Sequence, residues 1–465
     1  MTDPLGSSFR DPSGFVFQRD GTLYRQVNLV FAEQYDLLLA SGLYDALVSA
    51  GLLVPHREVD PSLAADAGTA YRVLAPEPVP FVSYPYEWSF GQLKDAALAT
   101  LHAQRVALEH GMSMRDASAY NVQFRDGRPV LIDTLSFERR TESAPWVAYA
   151  QFCRHFVAPL ALMRYRDVRM SGLLRANIDG IPLDLAASTL PFRARLRTGL
   201  LLHLFLHART LRSQERAAMR GPVRPRSRRA RPVSANALRG VIQSLERAVR
   251  GLTWEPERTV WSEYYGEAGS YTDAGLEHKR ALVEEFIQAA APATVWDLGA
   301  NTGAFSRIAA AHAASRVSFE ADPACVEVGY RELRSSGGRG LLPLVMDLLD
   351  PSPSIGWANE ERMSLLDRGP VDLAMALALV HHLAIAGNVP LPMVASFLRR
   401  CCSWLVVEFV PKSDPKVQLM LESREDVFPG YTVDGFERAF AELFEVERRE
   451  PVKDSDRVLY LMRRR

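Results

Sequence analysis

The chain has 465 residues, of which 48% are hydrophobic and 24% are charged, and its formal net charge is zero. The length predicts two or three domains. The composition is typical of a globular protein. A zero net charge provides no global field that would attract a polyanion, so neither a nucleic-acid partner nor an anionic membrane is predicted.

The cysteine pattern and the first residues both predict a cytoplasmic protein. Four cysteines are scattered along the chain, two of them adjacent: Cys153, Cys325, Cys401 and Cys402. This pattern suits neither a disulfide framework nor a Cys-x-x-Cys metal site, so we expect reduced thiols in the core. The N-terminal residues contain no apolar segment of the kind that a signal peptide needs.

The N-terminal part contains an Asp-x4-Asn motif that is followed by a second acidic residue after a predicted hairpin. Asp116 is followed after four residues by Asn121, and a predicted hairpin that begins at Gly127 ends at a second acid, Asp133. This arrangement resembles the catalytic loop and the metal-binding acid of protein-kinase-like and aminoglycoside-phosphotransferase-like folds. The resemblance implies an α+β kinase-like domain, in which Asp116 takes a hydroxyl proton while Asn121 and Asp133 hold Mg²⁺ on the phosphates of ATP.

The chain departs from the kinase pattern at the phosphate-binding elements. It has no GxGxxG loop, and its first lysine is Lys94, so the strand lysine that grips the phosphates is missing. Arg25, on the strand after the Asp20-Gly21 turn, is the nearby substitute, with Glu33 as its candidate partner, but a guanidinium is bulkier and forked. Three interpretations stay open: a degenerate kinase-like platform, which we favour, an active phosphotransferase, and an unrelated hairpin.

The longest apolar stretch, Gly199–His207, is far too short to span a bilayer and is interpreted as a buried helix. Its histidines, His203 and His207, are four residues apart, which is the spacing of a metal-binding pair on a helix. Because no third ligand lies nearby in the sequence, packing in the core or at an interface is the favoured interpretation.

Composition changes sharply between Leu211 and Ser234. This segment has eight arginines and three prolines against a single acid, Glu215. Proline-interrupted basic sequence is typical of a solvated linker, which we favour, although the same composition can bind RNA or anionic lipid. We therefore predict three parts: residues 1–211 as the kinase-like domain, 212–251 as an arginine- and proline-rich linker with a connecting helix, and 252–465 as a second domain.

Strands and helices alternate in this second domain, which predicts an α/β fold with a largely parallel sheet. We expect strands at 294–298, 317–320, 341–346, 371–376 and 404–409, separated by helices, and a final antiparallel pair after residue 443. In such a sheet the ligand lies at the carboxyl ends of the strands.

The string VWDLGANTG, residues 295–303, is the most informative in the chain. An apolar strand ends at Asp297 and is followed by three turn-forming residues: Gly299, Asn301 and Gly303. Glycines let a ligand approach the backbone closely, and the start of the next helix offers unpaired N–H groups. The following strand ends in Glu320, at a place where an acid accepts hydrogen bonds from a ribose diol.

The strings DLGANTG, FEADP and VMDLLD resemble motifs I, II and III of class I S-adenosylmethionine (SAM)-dependent methyltransferases. The resemblance implies a Rossmann-like, seven-stranded methyltransferase sheet whose glycine loop wraps the methionine end of SAM. It also implies that Glu320 holds the ribose hydroxyls and that Asp347 contacts the adenine amino group, with Leu348 in the same cofactor site.

Three residues upstream of the glycine loop are further candidates for cofactor binding: Tyr265, Tyr271 and Lys279. The aromatic side chains can cover SAM and shield its sulfonium through cation–π contacts. Packing between helices is the alternative explanation for these residues.

Three residues at strand ends are candidates for catalysis. His381 and His382 follow the fourth strand, where a side chain that titrates near neutrality can act as a general base, and Glu408 lies in the fifth strand. Structural histidines and ion pairs are the alternatives. Methyl transfer depends mainly on in-line placement of the reactants, so a strong base is optional.

Over nearly its whole length, including the tail VEFVPKSDPKV, the chain resembles large bacterial methyltransferases related to host-specific nodulation proteins. The resemblance implies a SAM-dependent methyltransferase (EC 2.1.1.-) that acts on a small-molecule or glycan acceptor, with the kinase-like domain as a platform or a second activity. Two alternatives stay open: a phosphotransferase with a SAM-sensing domain, and a non-catalytic binding protein. The sequence predicts neither the acceptor nor the oligomeric state.

Overall fold

The computed structural model describes residues 4–141, 144–219, 233–257, 271–422 and 425–465, without the side chains of 214–219. Most of the arginine-rich segment therefore lies outside the described residues. Contacts divide the chain into two compact units: Met1–Glu255 with Ser354–Arg362, and Pro256–Pro353 with Met363–Arg465. The domain limits inferred from the sequence stay a prediction.

The first unit combines short antiparallel strands with many helices. Its described strands are β1 (Gly14–Arg19), β2 (Thr22–Asn28), β3 (His56–Val59), β4 (Ala70–Pro76), β5 (Met112–Met114), β6 (Val122–Arg125), β7 (Arg128–Leu131) and β8 (Phe137–Arg139). The first four form one sheet in the order β1-β2-β4-β3, while β5 pairs with β8 and β6 pairs with β7. The hairpin expected before Asp133 is thus β6-β7.

The described α-helices of the first unit are α1 (Ala32–Ala40), α2 (Leu43–Ser49), α3 (Phe90–Glu109), α4 (Tyr149–Phe152), α5 (Ala158–Tyr165), α6 (Leu173–Ala176), α7 (Leu183–Thr189), α8 (Phe192–Arg195), α9 (Thr198–Leu200), α10 (His207–Met219) and α11 (Ala235–Arg250). Helix α3 begins at a capping box, in which Ser89 and Gln92 satisfy each other's backbone N–H groups. Helix α11 packs on α3 through an apolar face with a 3–4 residue spacing: Leu238, Ile242, Leu245 and Val249.

The stretch Leu201–Leu206 is π-helical and continues into α10. His203 is buried and forms hydrogen bonds with the hydroxyls of Tyr149 and Ser244, both at 2.8 Å. Within the described part of the chain, no three histidine, cysteine or acidic side chains form a metal-binding cluster. The prediction that this stretch is a buried helix was wrong in part, because Leu202 and Leu206 are each 45% exposed.

A short segment from the C-terminal sequence, Ser354–Arg362, belongs to the first unit. Arg10 binds the buried Glu361 by a bidentate contact, in which Nε donates to Oε2 at 3.0 Å and Nη2 donates to Oε1 at 2.6 Å. The Arg362 guanidinium lies 4.3 Å from the centre of the Tyr120 ring. This segment, hereafter the strap, therefore packs beside the Asp116–Asn121 loop of the first unit.

The second unit is built on one seven-stranded sheet. Its strands are β9 (Thr294–Leu298), β10 (Ser315–Glu320), β11 (Leu341–Val345), β12 (Val371–Ala376), β13 (Cys402–Phe409), β14 (Phe444–Pro451) and β15 (Val458–Arg464), in the order β11-β10-β9-β12-β13-β15-β14. Strands β9 to β13 pair in parallel, and β15 is antiparallel to both β13 and β14. The expectation of an α/β chain with a largely parallel sheet is confirmed.

Helices connect the parallel strands and cover the sheet: α12 (Asp273–Ala290), α13 (Ala304–Ile308), α14 (Pro323–Ser336), α15 (Leu391–Cys401), α16 (Pro415–Glu422) and α17 (Val433–Ala441). Phe286 of α12 and Phe305 of α13 pack with Val295, Leu373 and Val406 of the central strands in one buried cluster. Because parallel crossovers return every strand in the same direction, the carboxyl ends of β9 to β13 meet at one edge.

None of the described helices is both long and apolar enough to cross a membrane. The four cysteines are buried and carry free thiols, as the sequence predicts. Burial raises the pKa of the Cys401 thiol to about 12, so that this group is protonated and inert at neutral pH.

Candidate active site

The glycine loop leaves the centre of the sheet at β9. Asp297 is buried there and accepts a hydrogen bond from the Ser306 hydroxyl at 2.6 Å. Gly299 and Gly303 adopt positive φ angles of 76° and 83°, and Asn301 has φ of 53°. A Cβ on Gly299 would lie 3.2 Å from the Leu379 side chain, so both the backbone angle and the space favour glycine at this position.

The acid that ends β10 lies directly beside this loop. The Glu320 carboxylate accepts hydrogen bonds from the backbone N–H of Asn301 (2.8 Å) and of Asp322 (2.9 Å). Burial raises the pKa of Glu320, and these backbone N–H groups oppose that rise. The loop and the acid are therefore held in one fixed arrangement.

The third predicted residue lies at the same edge of the sheet. Asp347 follows β11, and the Met346 N–H donates to the Glu320 carbonyl at 2.8 Å. Asp347 is exposed and accepts a hydrogen bond from the Leu349 N–H at 2.9 Å, while Leu348 is half-buried. Three adjacent strand ends thus present an acid-lined surface beside a backbone that a ligand can approach, and these groups fit the ribose and adenine of SAM.

A cluster of buried charges lies at the end of β13. The Lys279 ammonium donates to Glu408 Oε2 at 2.7 Å and to the Tyr271 hydroxyl at 2.8 Å. The Tyr271 hydroxyl in turn donates to Glu408 Oε1 at 2.5 Å. Lys279 is 1% exposed and Glu408 is fully buried, so each charge depends on the other because water cannot solvate either one.

Arg457, directly before β15, completes this cluster. It is 1% exposed, and its Nε donates to Asp414 Oδ2 at 2.8 Å. Its guanidinium lies 4.4 Å from the centre of the Tyr271 ring. Burial favours the neutral acid at Glu408, but the cations of Lys279 and Arg457 outweigh it and hold the pKa of Glu408 below its usual value.

The two histidines lie after β12, where His382 begins a π-helical turn and His381 directly precedes it. Their rings lie 4.2 Å apart, and His381 is 1% exposed. Among the described residues, the His381 Nδ1 has no hydrogen-bond partner. Burial lowers the pKa of both imidazoles, to about 4 for His382, and the Arg457 cation adds to the effect. Both rings are therefore neutral at pH 7, and their lowered pKa values make them weak bases.

The first unit brings the three kinase-like positions together. Asp116 accepts hydrogen bonds from the Ser118 N–H (2.9 Å) and the Gln151 side chain (2.7 Å). Burial and the nearby charge of Asp133 raise the pKa of Asp116, and hydrogen bonds, including one from Asn121, oppose the rise. The two acids are thus close enough to interact electrostatically.

Arg25 pairs with the predicted metal ligand rather than with the predicted helix. Its Nη2 lies 2.5 Å from Asp133 Oδ1, and the two side chains are 12% and 10% exposed. The other oxygen of Asp133 accepts a hydrogen bond from the Ser136 hydroxyl at 2.6 Å. No ion pair joins Arg25 to Glu33 in the described part of the first unit, so the expectation of that pair was wrong.

Comparison with known proteins decides the family. No family model matches the sequence. The chain is 34% identical over 464 residues to nodulation protein NoeA of Rhizobium meliloti strain 1021, which is 99% of this chain and 96% of NoeA. The chain belongs to the NoeA family.

Two solved structures are similar to parts of this NoeA family member. The N-methyltransferase NodS from Bradyrhizobium japonicum WM9 matches with a TM-score of 0.32 and 11% identity, over 41% of this chain and 97% of NodS. The bifunctional kinase-methyltransferase WbdD matches with a TM-score of 0.31 and 16% identity, over 45% of this chain and 44% of that chain. Both similarities are too low to assign an activity.

The structure of this NoeA family member also shows what sequence reasoning missed. Arg457 is central to the buried cluster, but it was not predicted from the sequence. The sequence feature that could have indicated it is its position as a single cation directly before the apolar residues Val458–Met462. The predicted Tyr265 lies outside the described residues. Tyr271 and Lys279 are in the predicted region, but they contact Glu408 and so link the candidate cofactor residues to the candidate catalytic ones.

Proposed function

We propose that the second unit binds SAM and catalyses methyl transfer to a small-molecule or glycan acceptor. The observation that supports this most is the convergence of the glycine loop, Glu320 and Asp347 at the carboxyl ends of β9, β10 and β11. In this proposal Glu320 accepts hydrogen bonds from the ribose diol and Asp347 accepts one from the adenine amino group. SAM supplies a methyl group on a positively charged sulfur.

The acceptor side of the site is proposed to lie at the ends of β12 and β13. Because the His381 Nδ1 has no partner among the described residues, we propose that it accepts a hydrogen bond from the N–H or O–H group of the acceptor and so positions it. Burial lowers the pKa of this imidazole, which disfavours uptake of the proton itself. Glu408 is bound by Lys279 and Tyr271, so we assign it a positioning role and not that of the proton acceptor.

Titration calorimetry of the full-length protein with SAM and with S-adenosylhomocysteine tests this function. We expect both ligands to bind at one site, and we expect SAM tritiated on its methyl group to label a glycan or small-molecule fraction of a bacterial extract. Binding without any transfer would favour the SAM-sensing alternative. A protein that binds neither ligand at millimolar concentration would rule out the proposal.

We further infer that the first unit is a platform that does not transfer phosphate. The supporting observation is the ion pair between Arg25 and Asp133. The guanidinium occupies one oxygen of the acid that the kinase resemblance assigns to Mg²⁺. A divalent cation would have to displace this guanidinium or bind next to it against electrostatic repulsion, and both disfavour binding of the metal.

Mg²⁺ with millimolar ATP is therefore expected to leave the melting temperature of the full-length protein unchanged. A ligand present at a hundred times its dissociation constant would stabilise the folded protein by about 2.7 kcal/mol, which a thermal scan detects readily. Asp133→Asn is the matched control variant. A shift that is seen in the wild type and lost in Asp133→Asn would contradict the platform and favour a phosphotransferase. A shift that both proteins show would mean that the nucleotide binds elsewhere.

A further inference from the structure

The surface around α8 and the stretch Leu201–Leu206 combines exposed apolar side chains with arginines. Phe192 is 71% exposed and Leu196 is 72% exposed, while Leu202 and Leu206 are each 45% exposed. Large apolar side chains exposed together on a soluble domain usually mark an interaction site. The Arg195 guanidinium lies 5.1 Å from the centre of the Phe205 ring, so α8 and this stretch form one continuous surface.

Arginines dominate the charge of this surface. Residues 185–214 contain five arginines and no acidic residue, and one of the five, Arg212, pairs with Asp184, which directly precedes this segment. Within the described structure, the guanidiniums of Arg193, Arg195 and Arg197 have no carboxylate within 4 Å. A cavity of about 450 Å³ opens here, lined by Arg164, Tyr165, Arg193, Leu196 and Arg197. The surface therefore offers several unneutralised cations around a recess that is large enough for a phosphate group.

We propose that this basic apolar surface, formed by Phe192–Arg197 and Leu201–Arg209, docks the protein on an anionic phospholipid bilayer. Phe and Leu side chains insert at the boundary between headgroups and acyl chains, while arginines around them bind lipid phosphates. RNA would use the same cations, but it binds exposed aromatic faces by stacking, and three of the four most exposed apolar side chains are leucines. The chain as a whole has zero net charge, so the attraction is local to this surface.

Sedimentation of the full-length protein with phospholipid vesicles tests the proposal. Vesicles that contain phosphatidylglycerol are expected to bind the protein, more weakly as salt increases, and pure phosphatidylcholine vesicles are expected to bind it far less. The variant Phe192→Glu/Leu196→Glu should lose about tenfold or more in vesicle affinity, because two inserting side chains become charged. In Arg193→Gln/Arg197→Gln, each lost arginine should weaken binding about fivefold.

Matched control variants lie on α15, which also carries exposed side chains of both kinds: Met393→Glu and Arg399→Gln/Arg400→Gln. These should bind vesicles as the wild type does, and circular dichroism should show that all variants are folded. Absence of binding to phosphatidylglycerol vesicles at 0.1 M salt would overturn the proposal, as would surface variants that bind like the wild type. Transfer RNA is the alternative ligand. If the wild type binds transfer RNA but not vesicles, and the arginine variants lose that binding, the surface binds nucleic acid and the bilayer proposal is wrong.

Discussion

Replacing Glu320 by alanine is expected to weaken SAM binding by about ten- to hundredfold. The substitution removes a charge-assisted contact with the ribose, which contributes about 1.5–3 kcal/mol in total. It also releases the Asn301 N–H that now orders the loop. Titration calorimetry on the folded variant measures the loss. Gly299→Val should reduce affinity as well, because valine would need a positive φ and would press on Leu379.

A matched control for this prediction is Glu442→Ala, an exposed acid after α17. Its affinity for SAM should equal that of the wild type. If Glu320→Ala and Gly299→Val remain folded and bind SAM as the wild type does, the cofactor does not lie at this edge of the sheet. The methyltransferase assignment would then lose the observation that supports it.

The same site should respond to pH in a defined direction. Burial raises the pKa of Asp297 to about 6 and also raises the pKa of Glu320. An acid with a raised pKa becomes protonated while ordinary surface carboxylates are still charged. SAM affinity is therefore expected to decrease as the pH falls, through about 6 for the part that depends on Asp297 and through the raised pKa of Glu320 for the rest. Calorimetry at pH 7.5 and pH 5.5 measures this change, and Glu320→Ala should reduce it.

Replacing Lys279 by alanine is expected to destabilise the second unit by about 3–5 kcal/mol, because the buried Glu408 would lose its closest cation and keep only Arg457, at 3.8 Å. For a unit of this size, the loss corresponds to a decrease of roughly 6–20 °C in melting temperature. The double variant Lys279→Met/Glu408→Leu should recover much of that loss, since it leaves neither charge unpaired. Differential scanning calorimetry of the full-length variants measures both effects.

The control for this prediction is the exposed pair of Arg463 and Glu445, whose side chains are 53% and 55% exposed. Arg463→Ala should leave the melting temperature almost unchanged, because water screens this contact. A Lys279→Ala variant that melts with the wild type would show that the buried pair is not needed for stability.

The buried pair also sets the direction of a pH effect on stability. The folded-state pKa of Glu408 lies below its usual value of 4.5. The carboxylate therefore contributes stability above that value, and the contribution is lost as the pH falls through the lowered folded pKa. Glu408→Gln should remove this part of the acid dependence.

The second unit could be predicted from the sequence in considerable detail because its signals are local. Strand β9 (Thr294–Leu298) and strand β12 (Val371–Ala376) have the limits that the apolar pattern predicts. The glycine loop and Glu320 are 17 residues apart in sequence, and one crossover brings them together. The sequence alone could specify these features because parallel strands always place such residues at the same edge.

What could not be predicted depends on contacts between distant residues. Arg10 and Glu361 are 351 positions apart, and no local sequence pattern predicts that they form an ion pair. Arg25 was expected to pair with a nearby helix, but it contacts Asp133. The apolar run at Leu201–Leu206 has the composition of a core helix, and only the tertiary arrangement leaves part of it exposed. Composition does not show which side of a helix a neighbour will cover.

The strap has a consequence for the order in which the chain is made. Residues 1–255 leave the ribosome before Ser354–Arg362 has been synthesised, yet both belong to the same unit. At about 5–20 residues per second, the early part waits roughly 5–20 s for the residues that complete it. During this interval Arg10 lacks Glu361 and the face of Tyr120 lacks Arg362. Synthesis of the first unit therefore ends only after three of the second unit's seven strands, β9, β10 and β11, have also been made.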